Sequence, residues 1–193
     1  MRLVCCAILL VTAALITSCD KQLNVDRAAS PEASFEAARA SLQSENMDGF
    51  FDALTDQAVR QILLNSVLIC VGSTRPETRE FGYEPSFGCL RVLERYGWTG
   101  PTSYEQDVPA GAWEKAVAKI EEPRRMASDL ESINEMNGAG VSFVWDHLDS
   151  VEIYDVEVNG DHATASAKWW GQDVSEIRFE KDDSGWRFNP YPE

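Results

Sequence analysis

Cations and histidine are scarce in this chain. Of 193 residues, 17 are Lys or Arg against 32 Asp or Glu, and two are His, for a formal net charge of −15 at pH 7. Such a surface repels nucleic acid, whose binding needs a stripe of cations to displace counterions, and it repels anionic headgroups equally. No apolar run is long enough to span a bilayer. The run from Leu3 to Ser18 has sixteen residues, against about 20 needed to cross the roughly 30 Å hydrocarbon core. Gly-x-Ser-x-Gly and His-Glu-x-x-His are absent, which removes two common hydrolase arrangements. Also absent are Cys-x-x-Cys, a His near any thiol and an Asp-x-Asp-x-Asp loop, so neither a structural zinc site nor a calcium loop is predicted. His147, Asp149, Glu152, Asp161 and His162 are acids and imidazoles without ligand spacing. No metal, cofactor or catalytic residue is assigned.

The first nineteen residues carry an address. Arg2 precedes the apolar run, and Ile16-Thr17-Ser18-Cys19 closes it, the layout of a secretory signal with a small-residue cleavage site. The segment resembles a bacterial lipoprotein signal with its lipobox: Ile16 is the branched residue three before the Cys, and Thr17 and Ser18 are small. The resemblance implies a diacylglycerol on the Cys19 thiol, cleavage of residues 1–18, and a mature chain held at a cell-envelope membrane, facing the periplasm or the exterior. Losing Arg2 makes the mature chain still more acidic, so the lipid rather than charge must hold it. Cys5 and Cys6 leave with the signal. Residues 19–34 read as the lipidated terminus and a polar tether, about 20 Å in root-mean-square span if flexible.

Cys70 and Cys89 remain. A bridge between them closes a loop of about 20 residues, contributing on the order of 3 kcal/mol in the chain-entropy picture, and an oxidising compartment favours it. Two free, buried thiols are the other reading.

From residue 35 to 193 the chain reads as one domain. Ser30-Pro31-Glu32 is a helix entry, with an N-cap Ser, Pro at the first position and an acid in the first turn. Phe35, Ala38 and Leu42 follow at helical spacing, then after Asn46 to Gly49 a second helical run, Phe51, Leu54, Ala58 and Ile62. Gly72 to Phe87 reads as loop, Cys89 to Tyr96 as a helix ending at Gly97, and Ala112 to Ile133 as a helix broken or kinked at Pro123. After Gly140 the period changes from 3.6 to 2. Val151 and Ile153, then Tyr154, Val156 and Val158, form a strand whose inward phase slips near Tyr154, as at a bulge. Asn159-Gly160 signals a hairpin. Ala163, Ala165, Ala167 and Trp169 alternate with His162, Thr164, Ser166 and Lys168, and two more strands run through Ile177-Phe179 and Trp186-Phe188. Helices first and a meander last predict an α+β fold with helices packed on one face of an antiparallel sheet.

The Ser30-Pro31-Glu32 helix, the Asn46-Met47-Asp48-Gly49-Phe50 step, the Val158-to-Ala165 hairpin and the closing Asp183-Ser184-Gly185-Trp186-Arg187-Phe188 strand together resemble the nuclear transport factor 2-like (SnoaL-like) superfamily. The resemblance covers residues 31–64 and 148–190, and a helical insertion at about 65–140 departs from it. It implies a curved sheet wrapping a cone with the helices around a central cavity. Shape alone fixes no activity, since such folds serve isomerases, dehydratases, ligand binders and interaction modules.

Two functions follow. The first is a lipid-anchored, non-catalytic module binding a partner protein or a small apolar ligand. Three alanines on one strand face leave room for a closely packed helix or for a cavity, which Trp113, Trp145, Tyr154, Trp169 and Trp186 could line together with Ala163, Ala165 and Ala167. Plain helix-on-sheet packing is the competing explanation. The second is a small isomerase or dehydratase using His147 and a nearby acid, as the resemblance implies for the catalytic members. His162 points away from the alanine face and is expected in solvent.

Overall fold

The computed structural model describes residues 29–72, 87–102, 108–136, 148–169 and 172–191. Helix α1 (Pro31–Gln43) begins as its sequence dictates: Ser30 is extended, its Oγ accepts from the Ala33 N–H at 3.2 Å, and Pro31 stands at the first position. Ser34 and Phe35 are fully buried, so the folded domain begins before residue 35. A left-handed Glu45 (φ 56°) ends this helix, and the Asn46 side chain accepts from the Gly49 N–H at 3.0 Å to start α2 (Met47–Asp52). A Cβ on Gly49 would lie 2.7 Å from both Asn46 Nδ2 and Ser41 Oγ, so a larger residue would have to displace the capping side chain.

The helical run expected from Phe51 to Ile62 is two helices. Helix α2 ends at Asp52 and α3 covers Asp56–Gly72, while Leu54 leaves the helix to form a parallel bridge with Phe188. The Phe188 N–H donates to the Ala53 carbonyl and the Thr55 N–H to the Phe188 carbonyl, each at 3.0 Å. These bonds satisfy the edge of a strand that local periodicity could not foresee. Thr55 then caps α3, its Oγ1 accepting from the Ala58 N–H.

Helix α4 (Phe87–Arg95) lies against the end of α3, with Cys70 and Cys89 joined by a disulfide across a Cα separation of 5.8 Å. The chain leaves α4 through Gly97, whose φ of 66° is the left-handed value that glycine accepts freely. Pro123 breaks the next run instead of kinking it: α5 spans Ala112–Val117 and α6 spans Pro123–Met136, with the proline at the first position of α6, where its missing N–H costs nothing.

Strands β1 (Val151–Asn159), β2 (His162–Trp169), β3 (Gln172–Asp182) and β4 (Gly185–Asn189) form an antiparallel sheet in that order. Helices come first and strands last, as an α+β fold requires. The register of β1 against β2 slips between Tyr154 and Glu157, where Asp155 takes φ 51°. Tyr154 stays on the outer face, opposite Ser166 and beneath Lys168 Nζ at 4.6 Å from its ring centroid; its inward placement in the sequence reading is corrected because the slip falls after it. The first hairpin turns at Gly160-Asp161, one residue later than Asn159-Gly160, since Asn159 pairs with His162 and Gly160 alone takes a positive φ, 64°. That is the choice of a turn with glycine at its first central position.

Ala163, Ala165, Ala167, Ile177, Phe179, Trp186 and Phe188 are buried on the inner face, in one apolar cluster with Phe35, Phe50, Phe51 and Leu54. Phe188 stands at its centre, edge-on to Phe35 at 5.6 Å and 6.4 Å from Phe179. Three arginines join distant segments. Arg39 of α1 donates to the Val151 carbonyl, Arg60 of α3 to the Val117 carbonyl at 2.9 Å, and Arg124 of α6 to the Phe51 and Leu54 carbonyls and to Asp56.

Candidate functional site

Among the described residues, those expected around a cavity come together only in part. Ala163, Ala165, Ala167 and Trp186 share the inner face in one buried cluster with Phe35, Phe50, Phe51, Phe179 and Phe188. Trp113 sits on α5, with its ring 6.2 Å from Trp98, which donates to the Pro101 carbonyl at 3.0 Å. Tyr154 faces outward under Lys168. The backbone of Trp169 pairs with Val151 and Gln172; its side chain, Trp145, His147 and Cys19 lie outside the described residues. His162 is exposed on the outer sheet face, as its alternation with the alanines requires.

An open concavity lies elsewhere, in the helices. A cleft of about 680 Å³ opens between the end of α4, the segment joining α5 to α6, and the first turns of α6. Arg95, Tyr96 and Gly97 line it from the end of α4, Lys119, Glu121 and Glu122 from the joining segment, and Arg125 and Asp129 from α6. The helices bring these groups together for local reasons. Gly97 turns the chain after α4, Pro123 starts α6, and Arg125 and Asp129 are one turn apart on α6 and share a face.

Asp129 organises one end of the cleft. Its Oδ2 accepts from the Tyr96 hydroxyl at 2.9 Å and pairs with Arg95 at 3.0 Å. Desolvation raises the Tyr96 phenol above its ordinary value, the hydrogen bond and charge of Asp129 raise it further, and Arg125 and Arg95 pull it back. Arg125 and Glu122 form a looser pair at 3.6 Å, while Lys119 and Glu121 have no protein partner among the described residues. The cleft therefore offers both signs of charge, with one cation and one acid uncommitted.

Arg124 stands behind it. Burial lowers its guanidinium from the ordinary value, Arg187 adds to this, and Asp56 opposes it; a guanidinium keeps its charge regardless. No sequence signal points to this cleft, because its walls are three helix ends that only the tertiary fold brings side by side. Among the described residues no group of three His, Cys, Asp or Glu could hold a metal, and no helix is long and apolar enough to cross a membrane. No protein-family model, curated protein or solved structure matches this chain.

Proposed function

We propose that this chain is a lipid-anchored cell-envelope protein whose single domain, nuclear transport factor 2-like in plan, acts as an interaction module for a partner protein. The observation that carries the compartment is the Cys70–Cys89 bond, since such bonds persist where the surroundings are oxidising. The lipobox pattern at Ile16 to Cys19 supports the anchor. The order of elements, three helices followed by a bulged four-stranded meander, supports the superfamily plan, and α4 to α6 stand as its helical insertion. Of the two occupants expected from the sequence, a partner protein is favoured over a small apolar ligand: phenylalanine fills the inner face, and the open cleft is lined by charge. Charged rims of this kind set partner choice and encounter rate more than affinity.

The test has two parts. Mass analysis of the N-terminal peptide from membrane fractions should show diacylglycerol on Cys19, and Cys19→Ala should release the protein from the membrane. A Cys19→Ala product that stays membrane-bound and unmodified refutes the anchor. Crosslinking in the native envelope should then trap one protein through Lys119, and Arg95→Glu with Arg125→Glu, which keep the Lys119 amine, should abolish it; an unchanged crosslink refutes the cleft.

A further inference from the structure

The outer face of the sheet carries a second, smaller concavity, away from the helical cleft. About 310 Å³ in volume, it runs across β2, β3 and β4 to the first turn of α3. Strand register fixes its lining. His162 pairs with Glu180, Thr164 with Arg178, and Arg178 in turn with Asn189. Partners opposite each other in an antiparallel ladder project to one face, so these side chains share the outer one. Diagonal neighbours such as His162 and Arg178 lie about 7–8 Å apart, within reach of long side chains and of one small ligand between them.

The polar groups divide into a fixed back and a free front. Asn189 is the back: only 3% exposed, it donates from Nδ2 to Gln57 Oε1 at 3.1 Å and accepts at Oδ1 from the Tyr191 N–H at 3.0 Å. Arg178 is held by its Nε, which donates to Glu176 Oε1 at 3.1 Å, leaving both terminal nitrogens without a protein partner. The His162 imidazole, the Thr164 hydroxyl and the Glu180 carboxylate likewise have no partner among the described residues. Arg187, opposite Glu180 in the register of β3 and β4, makes its ion pair with Asp182 at 2.8 Å and not with Glu180.

Free donors (Arg178, Thr164, His162) and a free acid (Glu180) in one concavity match a ligand with both charges. A carboxylate fits the planar fork of Arg178 with the hydroxyl beside it, and an ammonium fits Glu180. A chain of net charge −15 repels a simple anion over long range, whereas a zwitterion carries no net charge to repel. We propose that this pocket binds a small zwitterion of the α-amino-acid class, its carboxylate on Arg178 and Thr164 and its ammonium on Glu180.

Three probes isolate the two charges: L-alanine, propionate, which lacks the ammonium, and ethylammonium, which lacks the carboxylate. Each is titrated into the full chain in detergent while the His162 ring proton signals are followed by magnetic resonance, assigned by their loss in His162→Gln. L-Alanine should shift those signals saturably and at least about tenfold more tightly than either single-charge probe, the value of one lost charge-assisted contact. Arg178→Gln should weaken L-alanine about tenfold and leave ethylammonium unchanged, and Glu180→Gln should likewise weaken L-alanine about tenfold and not weaken propionate. Equal response to all three probes, no saturable shift, or an Arg178→Gln variant that keeps wild-type binding with a wild-type amide spectrum overturns the proposal. Because the pocket and the helical cleft share no residue, none of these outcomes bears on the partner-binding reading.

Discussion

Strands β1 to β4 pair in the order in which the chain makes them, so the turns that close the sheet are short. The helices meet by other means. Arg39 reaches a carbonyl 112 residues away, Arg124 carbonyls 73 and 70 away, and Arg60 one 57 away. A disulfide joins α3 to α4 across 19 residues. The sheet's order is thus local, while in the helical half single side chains, added to the shared apolar core, bridge distant segments, and Arg39 ties α1 to β1. A lost contact in the sheet is backed by its neighbours in the ladder, whereas a lost arginine removes a donor that ties distant segments together, even where a local N–H, such as Leu54 on Phe51 or Ile120 on Val117, still reaches the carbonyl.

Four substitutions break or sharpen that contrast. Phe188→Ala strikes where the halves join, since this ring packs on both Phe35 and Phe179. It should cost about 4 kcal/mol in denaturant unfolding, and a loss below about 1 kcal/mol would mean the halves fold independently. Replacing Cys70 and Cys89 together by Ala frees a segment of the helical half alone. Stability should fall by about 3 kcal/mol, with hydrogen exchange accelerated in α3 and α4 and unchanged in β2 and β3; uniform acceleration would contradict the division.

Arg124→Met keeps the apolar stem and removes the donors to the Phe51 and Leu54 carbonyls. A loss of about 2 kcal/mol is expected, larger than that of Arg178→Met on the exposed sheet face, which should fall within about 0.5 kcal/mol. Equal losses would show that the arginine bridges carry no special weight. The smallest effect runs the other way. Asp155 holds φ 51° in the bulge, and Asp155→Gly should raise stability by about 0.5 kcal/mol by removing backbone strain. A destabilised glycine variant would mean the aspartate side chain, not the backbone, holds the bulge.

The same division explains what the sequence made readable. The strict alternation from His162 to Lys168 placed the alanines inside and His162 outside, and Ser30-Pro31 marked the start of α1. Each rests on residues within one turn or one strand. The break between α2 and α3 was not readable, because Leu54 leaves the helix to bridge Phe188, 134 positions on, and nothing local marks it. Apolar character cannot show on which side of a bulge the phase slips, so alternation alone sets Tyr154 inward where the register sets it outward. The helical cleft has the same origin: Tyr96 and Asp129 meet at 2.9 Å only once α4 and α6 are docked, and neither lies in a recognisable motif. The outer pocket is half legible: alternation sets His162 and Thr164 outward on one strand and Glu176, Arg178 and Glu180 opposite to Ile177 and Phe179 on another, while the register that brings the two sets side by side comes only from strand pairing.

The bulge in β1 has a consequence beyond bending the strand. Strand β4 spends its outer edge on Ala53 to Thr55, but β1 pairs only with β2 among the strands. A flat, uncharged border of that length would be a template on which further copies of the chain could stack. The left-handed Asp155 interrupts its row of donors and acceptors, and exposed Glu152, Asp155 and Glu157 set negative charge along it. Two such borders repel when they approach. If many copies are tethered side by side, that repulsion keeps them separate and leaves their outer faces open.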